Sequence, residues 1–299
     1  MRLPPANDGI QKKKKESPPE ITLAPDGLLH SKYVSRKVGG SAVYVLCWRK
    51  AVERLHHGSV KRMSGKMILP PSLPEYIAHL LRLRVLQELE LLTERLEYSM
   101  RCGKNLGYPA VILRRLSYDE WGSLKSTGTI PYPNAVAILV VPQPNKHPVT
   151  KERPVPSMSE SPPDDEELPE ARPPLSKLIP NSDMPLHDEI GTLPHLEIPL
   201  YNSITAFPSR SQRAALFQFL TRILAAERFL KRLHLRKNYT RSDIPETENV
   251  EISSPRKGSH AFVLCSNNCT IRRGDSAAVA LALWRLRMYE GDGWTPSSS

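Results

Sequence analysis

The chain of 299 residues has no run of about 18 consecutive apolar residues, the length a membrane-spanning helix needs. No membrane insertion is therefore expected. It has four cysteines, too few and too scattered to staple a small core. That usage suits a reducing interior. The opening stretch MRLPPANDGIQKKKKESPPE lacks the apolar segment of a secretory signal, and Pro4, Pro5 and Asp8 spoil an amphipathic transit helix. These absences predict an intracellular protein, mitochondrial or nuclear, in which the Asn238-Tyr239-Thr240 sequon is idle.

Catalytic fingerprints are missing as well. There is no Gly-x-Gly-x-x-Gly, His-Glu-x-x-His or Gly-x-Ser-x-Gly. Gly65-Lys66-Met67 has the spelling of a phosphate-loop end, but Val60 replaces the first glycine and Met67 the hydroxyl that would hold magnesium. No cofactor is expected. A nucleophile–base–orienter set is not visible, although such sets are assembled in space.

The cysteines raise a sharper question at Leu264-Cys265-Ser266-Asn267-Asn268-Cys269. A structural zinc site takes four ligands, commonly from two Cys-x2-Cys pairs. Here the spacing is Cys-x3-Cys and no second pair exists; Cys47, Cys102 and His260 would have to be brought in by folding. The Cys-x3-Cys-x2-Cys of radical-SAM enzymes fails at Arg272. Ser266-Asn267-Asn268 has the composition of a turn, and asparagine tolerates positive φ. The reading is a turn at the end of a strand, with Cys265 and Cys47 as small buried hydrophobes closing strand-like runs. His56-His57 has no nearby acid, and His187 and His195 sit with Asp183, Asp188 and Glu189 in a proline-rich stretch. No metal is expected.

What the chain has in excess is proline and positive charge. Prolines number 29, and the formal net charge is +11. From Pro142 to Leu196 there are 13 prolines, 5 basic and 10 acidic residues. That segment carries −5 of the overall +11, so the remainder carries +16. A stretch such as SESPPDDEELPEARPP has no period and reads as an acidic, disordered linker. Its acidity would let it lie over a basic body as a mimic of nucleic acid, though a solvated linker is the plainer expectation.

Periodicity supplies the elements. Residues 1–30 read as a disordered basic tail containing Lys12–Lys15. Ser41–Trp48, SAVYVLCW, reads as a buried strand. Ser72-Leu73-Pro74-Glu75 has the capping-box pattern and opens a helix over 72–100, with Ala78, Leu81, Val85, Leu89, Leu92 and Leu96 on one seam. Ala110–Leu116 is strand-like, Ser117 to Glu120 is a second capping box, Gly128 stops the helix, and Ala135–Val141 is an apolar strand. Strand, helix and strand in so short a span suggest a parallel pair joined by a crossover. Ser209-Arg210-Ser211-Gln212 opens a helix to about Arg236. His260–Cys265 is a strand, and Asp275 caps a helix that is apolar nearly all round. Arg273-Gly274-Asp275 is thus a turn and a cap rather than an adhesion tripeptide.

The expectation is an α/β protein. A small mixed or parallel sheet of about four strands is packed by about four helices and interrupted by the linker. Residues 31–141 and 197–294 form two halves of one domain, 142–196 the linker and 295–299 a tail. Two small domains are the alternative.

Function rests on the cations. Arg228, Lys231, Arg232, Arg236 and Lys237 crowd the last turns of the third helix. Arg49, Lys50 and Arg54 follow the first expected strand, and Arg272 and Arg273 an expected strand end. Helix-dipole complementarity accounts for one or two cations at a C-terminus, not five. Arginine forks bond two phosphate oxygens at once, and Tyr239 is placed to stack an unpaired base. The preferred reading is a non-enzymatic binder of RNA or a ribonucleoprotein. The alternative is an assembly subunit, by a coiled coil or otherwise, whose protein partner meets Leu81, Leu89, Leu92 and Leu96. An enzyme with a site assembled from distant residues is the third.

Overall fold

A computed structural model describes residues 21–34, 44–55, 67–102, 111–132, 134–146, 150–159, 174–181, 197–238 and 258–291. In chain order the strands are β1 (Ile21–Thr22), β2 (Met67–Ile68), β3 (Leu113–Ser117), β4 (Ala135–Val140), β5 (Ser176–Pro180), β6 (Glu197–Asn202) and β7 (Gly258–Cys265). The helices are α1 (Arg49–Arg54), α2 (Leu73–Arg101), α3 (Tyr118–Thr127), α4 (Ser203–Ala206), α5 (Arg210–Asn238), α6 (Asn268–Arg273) and α7 (Asp275–Glu290).

Five strands form a mixed sheet in the order β3-β7-β4-β6-β5, while β1 and β2 make a separate parallel pair. β7 runs antiparallel to both β3 and β4. β3 and β4 therefore point the same way without touching. The expected adjacent parallel pair is split by the last strand in sequence, which fills the slot between them. β4 pairs in parallel with β6, and β5 closes the edge antiparallel to β6.

Side-chain alternation sends the two faces of this sheet into two cores. Phe262 and Leu264 of β7 join Ala137, Leu139 and Tyr201 against α2, α5 and α7. Ala261, Val263 and Cys265 join Ile138, Ile179 and Ile198 against α3, which contributes Leu124 and Trp121. Among the described residues three long helices thus cover one face and the short α3 the other. The larger core draws on residues from Val52 to Tyr289, on both sides of the proline-rich segment.

The leucine seam of α2 lies inside this core. Ala78, Val85 and Leu89 are fully buried, and Leu81, Leu92 and Leu96 nearly so. These leucines pack against the chain's own helices, so they are not a free face for a partner. Ser72 precedes α2 but its side chain makes no cap bond, and the expected capping box is absent. The Glu75 carboxylate that would complete it is held by Arg49 instead. Pro74 still opens the helix, where a missing N–H costs nothing. At α3 the box forms: Ser117 Oγ accepts from the Glu120 N–H at 3.2 Å, and Glu120 Oε2 from the Ser117 N–H at 2.7 Å. Gly128, at φ 69°, ends that helix in the left-handed conformation.

Three other expectations are corrected. Residues 44–48 of the expected first strand are not a strand; Tyr44 is 96% exposed and Leu46 54%. Trp48 serves as the residue before α1, and the Cys47 thiol, exposed rather than buried, donates to the Arg285 carbonyl at 3.8 Å. The linker is not wholly without structure either: Ser176–Pro180 is the edge strand β5, where proline is tolerated because no further strand asks for its N–H. β6, unanticipated because of Pro199, begins its ladder with β4 only at Leu200, after the proline. Finally, Gly274 (φ 69°), not Asp275, caps α7. The Asp275 carboxylate is clamped by Arg95 and Arg273, each at 2.7 Å.

Candidate nucleic-acid interface

The C-terminal half of α5 has two chemistries on two faces. Leu216, Leu220, Ile223, Ala226 and Leu230 recur at spacings of three and four and are buried in the larger core. That periodicity leaves Arg222, Ala225, Arg228, Phe229 and Arg232 facing away from it. The last turns of α2 run alongside, contributing Glu97 and Met100. Between the two helices lies an open groove of about 430 Å³ lined by these residues.

The groove is polar on one side and apolar on the other. Arg222 binds Glu97 through both oxygens, Nε to Oε1 and Nη2 to Oε2, each at 2.8 Å. Those bonds hold the Glu97 carboxyl below the usual carboxylate range, against a smaller upward push from burial. Phe229 is 46% exposed and so presents much of its ring to solvent. Arg228 and Arg232 stand one turn apart on the rim, with Lys231 beside them, all exposed. Among the described residues none of these three meets a carboxylate.

A second carboxylate lies behind the groove. Glu227 accepts from the Ile112 N–H at 2.6 Å and the Leu113 N–H at 3.3 Å, pinning α5 to the start of β3. Burial pushes its carboxyl up and the two amides only partly offset this, leaving it at about 7.

The other expected site residues are dispersed. Arg49 joins Glu290 at 3.1 Å and also Glu75, and is half-buried over the Tyr289 ring. Lys50 is exposed on α1, and Arg54 lies over Trp48 at 5.9 Å. Arg272 and Arg273 fall in the last turn of α6, not at a strand end; Arg272 is exposed while Arg273 is bound to Asp275. Arg49 therefore marks one end of α7 and Arg273 the other, about 24 Å apart for 16 residues. Arg95, which shares Asp275, is two residues from Glu97 on α2. Two residues apart on a helix is about 200° of rotation, so Arg272 and Arg273 flank α2 on the side away from the groove. Arg236 and Lys237 continue α5, but their side chains lie outside the described residues, as do Tyr239, His56, His57, His187 and His195.

The Cys-x3-Cys stretch is a strand-to-helix turn. Asn267 Oδ1 accepts from the Thr270 N–H at 2.9 Å and Thr270 Oγ1 from the Asn267 N–H at 2.7 Å, a reciprocal cap that starts α6. Cys265 is buried at the end of β7, and burial pushes its thiol up to about 11. Among the described residues no three His, Cys, Asp or Glu side chains are placed to hold a metal ion. No helix of those residues is long and apolar enough to cross a membrane.

Of the residues lining the groove, the sequence singles out Arg228 and Arg232 by their charge, but not Phe229, Arg222, Glu97 or Met100. One signal was available: Phe229 is a large apolar residue off the buried period of its own helix. The chain matches no family model, and neither a curated protein nor a solved structure matches it.

Proposed function

We propose that this chain is a non-enzymatic intracellular protein that binds RNA or a ribonucleoprotein through the basic rim of the α5 groove. One observation carries the reading. Arg228, Lys231 and Arg232 lie within two turns of one helix, solvent-exposed, with no carboxylate partner among the described residues. Arg49, Arg82, Arg95 and Arg273 are instead all bound to acids. Exposed cations at such density raise the local concentration of a polyanion. Neutralising phosphates with them releases condensed counterions, so binding energy comes chiefly from salt release. Such charge neutralisation carries no sequence information of its own, and the affinity is expected to be broad.

The test is charge reversal combined with salt. Binding of a labelled RNA should fall steeply between about 50 and about 500 mM salt, by a log–log slope of roughly −0.7 per phosphate engaged on a single strand. The triple variant Arg228→Glu/Lys231→Glu/Arg232→Glu should abolish binding while the far-ultraviolet spectrum is unchanged. Equal affinity at the two salt concentrations, or undiminished binding by the triple variant, refutes the reading.

A further inference from the structure

The groove behind the basic rim is built for more than a phosphate. We propose that it takes an unpaired base of single-stranded RNA, the ring stacked on Phe229 and the flanking phosphates held by Arg228 and Arg232; this rests on the RNA-binding reading above. Three observations converge. An exposed phenyl ring that lines the same groove as Arg228 and Arg232 offers a sequence-tolerant stacking platform beside those cations. Met100 on the facing helix supplies a second soft apolar wall.

Glu97 sets the orientation. Its carboxylate, kept ionised by Arg222, can only accept hydrogen bonds and so offers a donor-bearing base or ribose a contact that it cannot offer a phosphate. An ionised carboxylate has about four lone-pair sites, and the bidentate Arg222 contact uses two. The remainder accept N–H from an exocyclic amino group, as acidic side chains do from cytosine N4, or O–H from a ribose 2′-hydroxyl. Base inward and phosphates outward is the pose that satisfies every group. A duplex cannot adopt it, because its base faces are already stacked on one another.

The experiment compares a labelled 12-mer RNA, the same sequence as duplex, and the matching single-stranded DNA, on the full chain at about 100 mM salt. Phe229→Ala should weaken single-stranded RNA roughly five- to a hundredfold and leave duplex binding within about twofold. Phe229→Trp should restore or tighten it. Equal losses on single strand and duplex, or a Phe229→Ala protein that binds single-stranded RNA normally, overturns the stacking site while leaving the basic-surface reading standing. Absence of RNA binding altogether overturns both. DNA bound as tightly as RNA removes the 2′-hydroxyl contact and with it the assignment to RNA. Displacement of the bound RNA by an acidic aromatic peptide with higher affinity assigns the groove to a protein instead.

Discussion

The two ends of α7 and the C-terminal half of α5 use the same side chains to opposite effect. At the two ends of α7, Arg49, Arg82, Arg95 and Arg273 each meet an acid. Glu290 accepts from Arg82 at 2.8 Å and from Arg49 at 3.1 Å, and Arg82 turns its Nε to the Ala206 carbonyl. Asp275 takes Arg95 and Arg273 at the other end. Glu290 sits in the last turn, where helix carbonyls already concentrate negative potential, so two guanidiniums are needed to make the position tolerable. On α5 the neighbouring helix presents one carboxylate to the groove, Glu97, and Arg222 takes it. Among the described residues the cations beyond it meet no carboxylate. What decides whether an arginine becomes a fastening or a free charge is the acid across the helix interface, not the arginine.

The largest effect should come from breaking the fastened side. Glu290→Ala removes the carboxylate at 2.8 Å from Arg82, which is only 5% exposed. Such losses run to about 3–5 kcal/mol. A shift of the urea midpoint of that size is expected. By contrast Glu97→Ala, in a pair that is part-exposed on both sides, should cost about 1 kcal/mol or less. Similar losses for the two variants would mean that the paired and unpaired regions do not differ as described.

A second contrast concerns carboxylates that both accept backbone amides. Burial pushes Glu120 up, but the Ser117 N–H, the Tyr132 hydroxyl and the Arg114 guanidinium outweigh it and hold it at about 2. Glu227 has amides but no cation among its partners, and stands at about 7 against an ordinary 4.5. The signs are opposite. Between pH 4.5 and 7 the folded state holds the Glu227 proton that the unfolded chain has lost, so stability falls as pH rises, by about 3 kcal/mol in all. For Glu120 stability is lost as pH falls from 4.5 towards 2. Urea midpoints measured from pH 4 to 8 should decline for the native chain and run flatter for Glu227→Gln. An unchanged slope in that variant would show that Glu227 is not the titrating group.

The helices were legible because burial imposes a period on them. α2, α3, α5 and α7 follow from apolar spacing, glycine stops and, at Ser117, a cap that forms as written. β3, β4 and β7 were legible as apolar runs, but their order was not. That β7 enters between β3 and β4 depends on pairing across more than a hundred residues, which no local pattern encodes. Proline hid β5 and β6, since the rule that proline breaks strands does not say where a ladder starts or which edge is free. Tyr44-Val45-Leu46 misled for the converse reason: strand composition without a partner. At the site, Arg228 and Arg232 were readable as charge, and Glu75 and Glu290 were readable as acids. That Arg49 would bind both, and that Arg222 would join Glu97 125 residues away, required the helices to be packed.

The smallest expected effect is the most discriminating. Arg272 is exposed on α6 and, among the described residues, meets no carboxylate, as is true of Lys231 on α5. Each should change stability by less than about 0.5 kcal/mol when replaced by alanine. Each carries one positive charge, and they stand in different places: Lys231 by the groove and Arg272 on the other flank of α2. If RNA is held by the groove, Lys231→Ala should weaken binding several-fold and lower the salt slope by about 0.7, while Arg272→Ala leaves both within error. If net charge alone attracts the polyanion, the two variants lose affinity equally, because each removes one unit of the same sign. Binding measured for this pair at two salt concentrations separates a located site from a diffuse field, since neither substitution disturbs the fold that would otherwise confound the comparison.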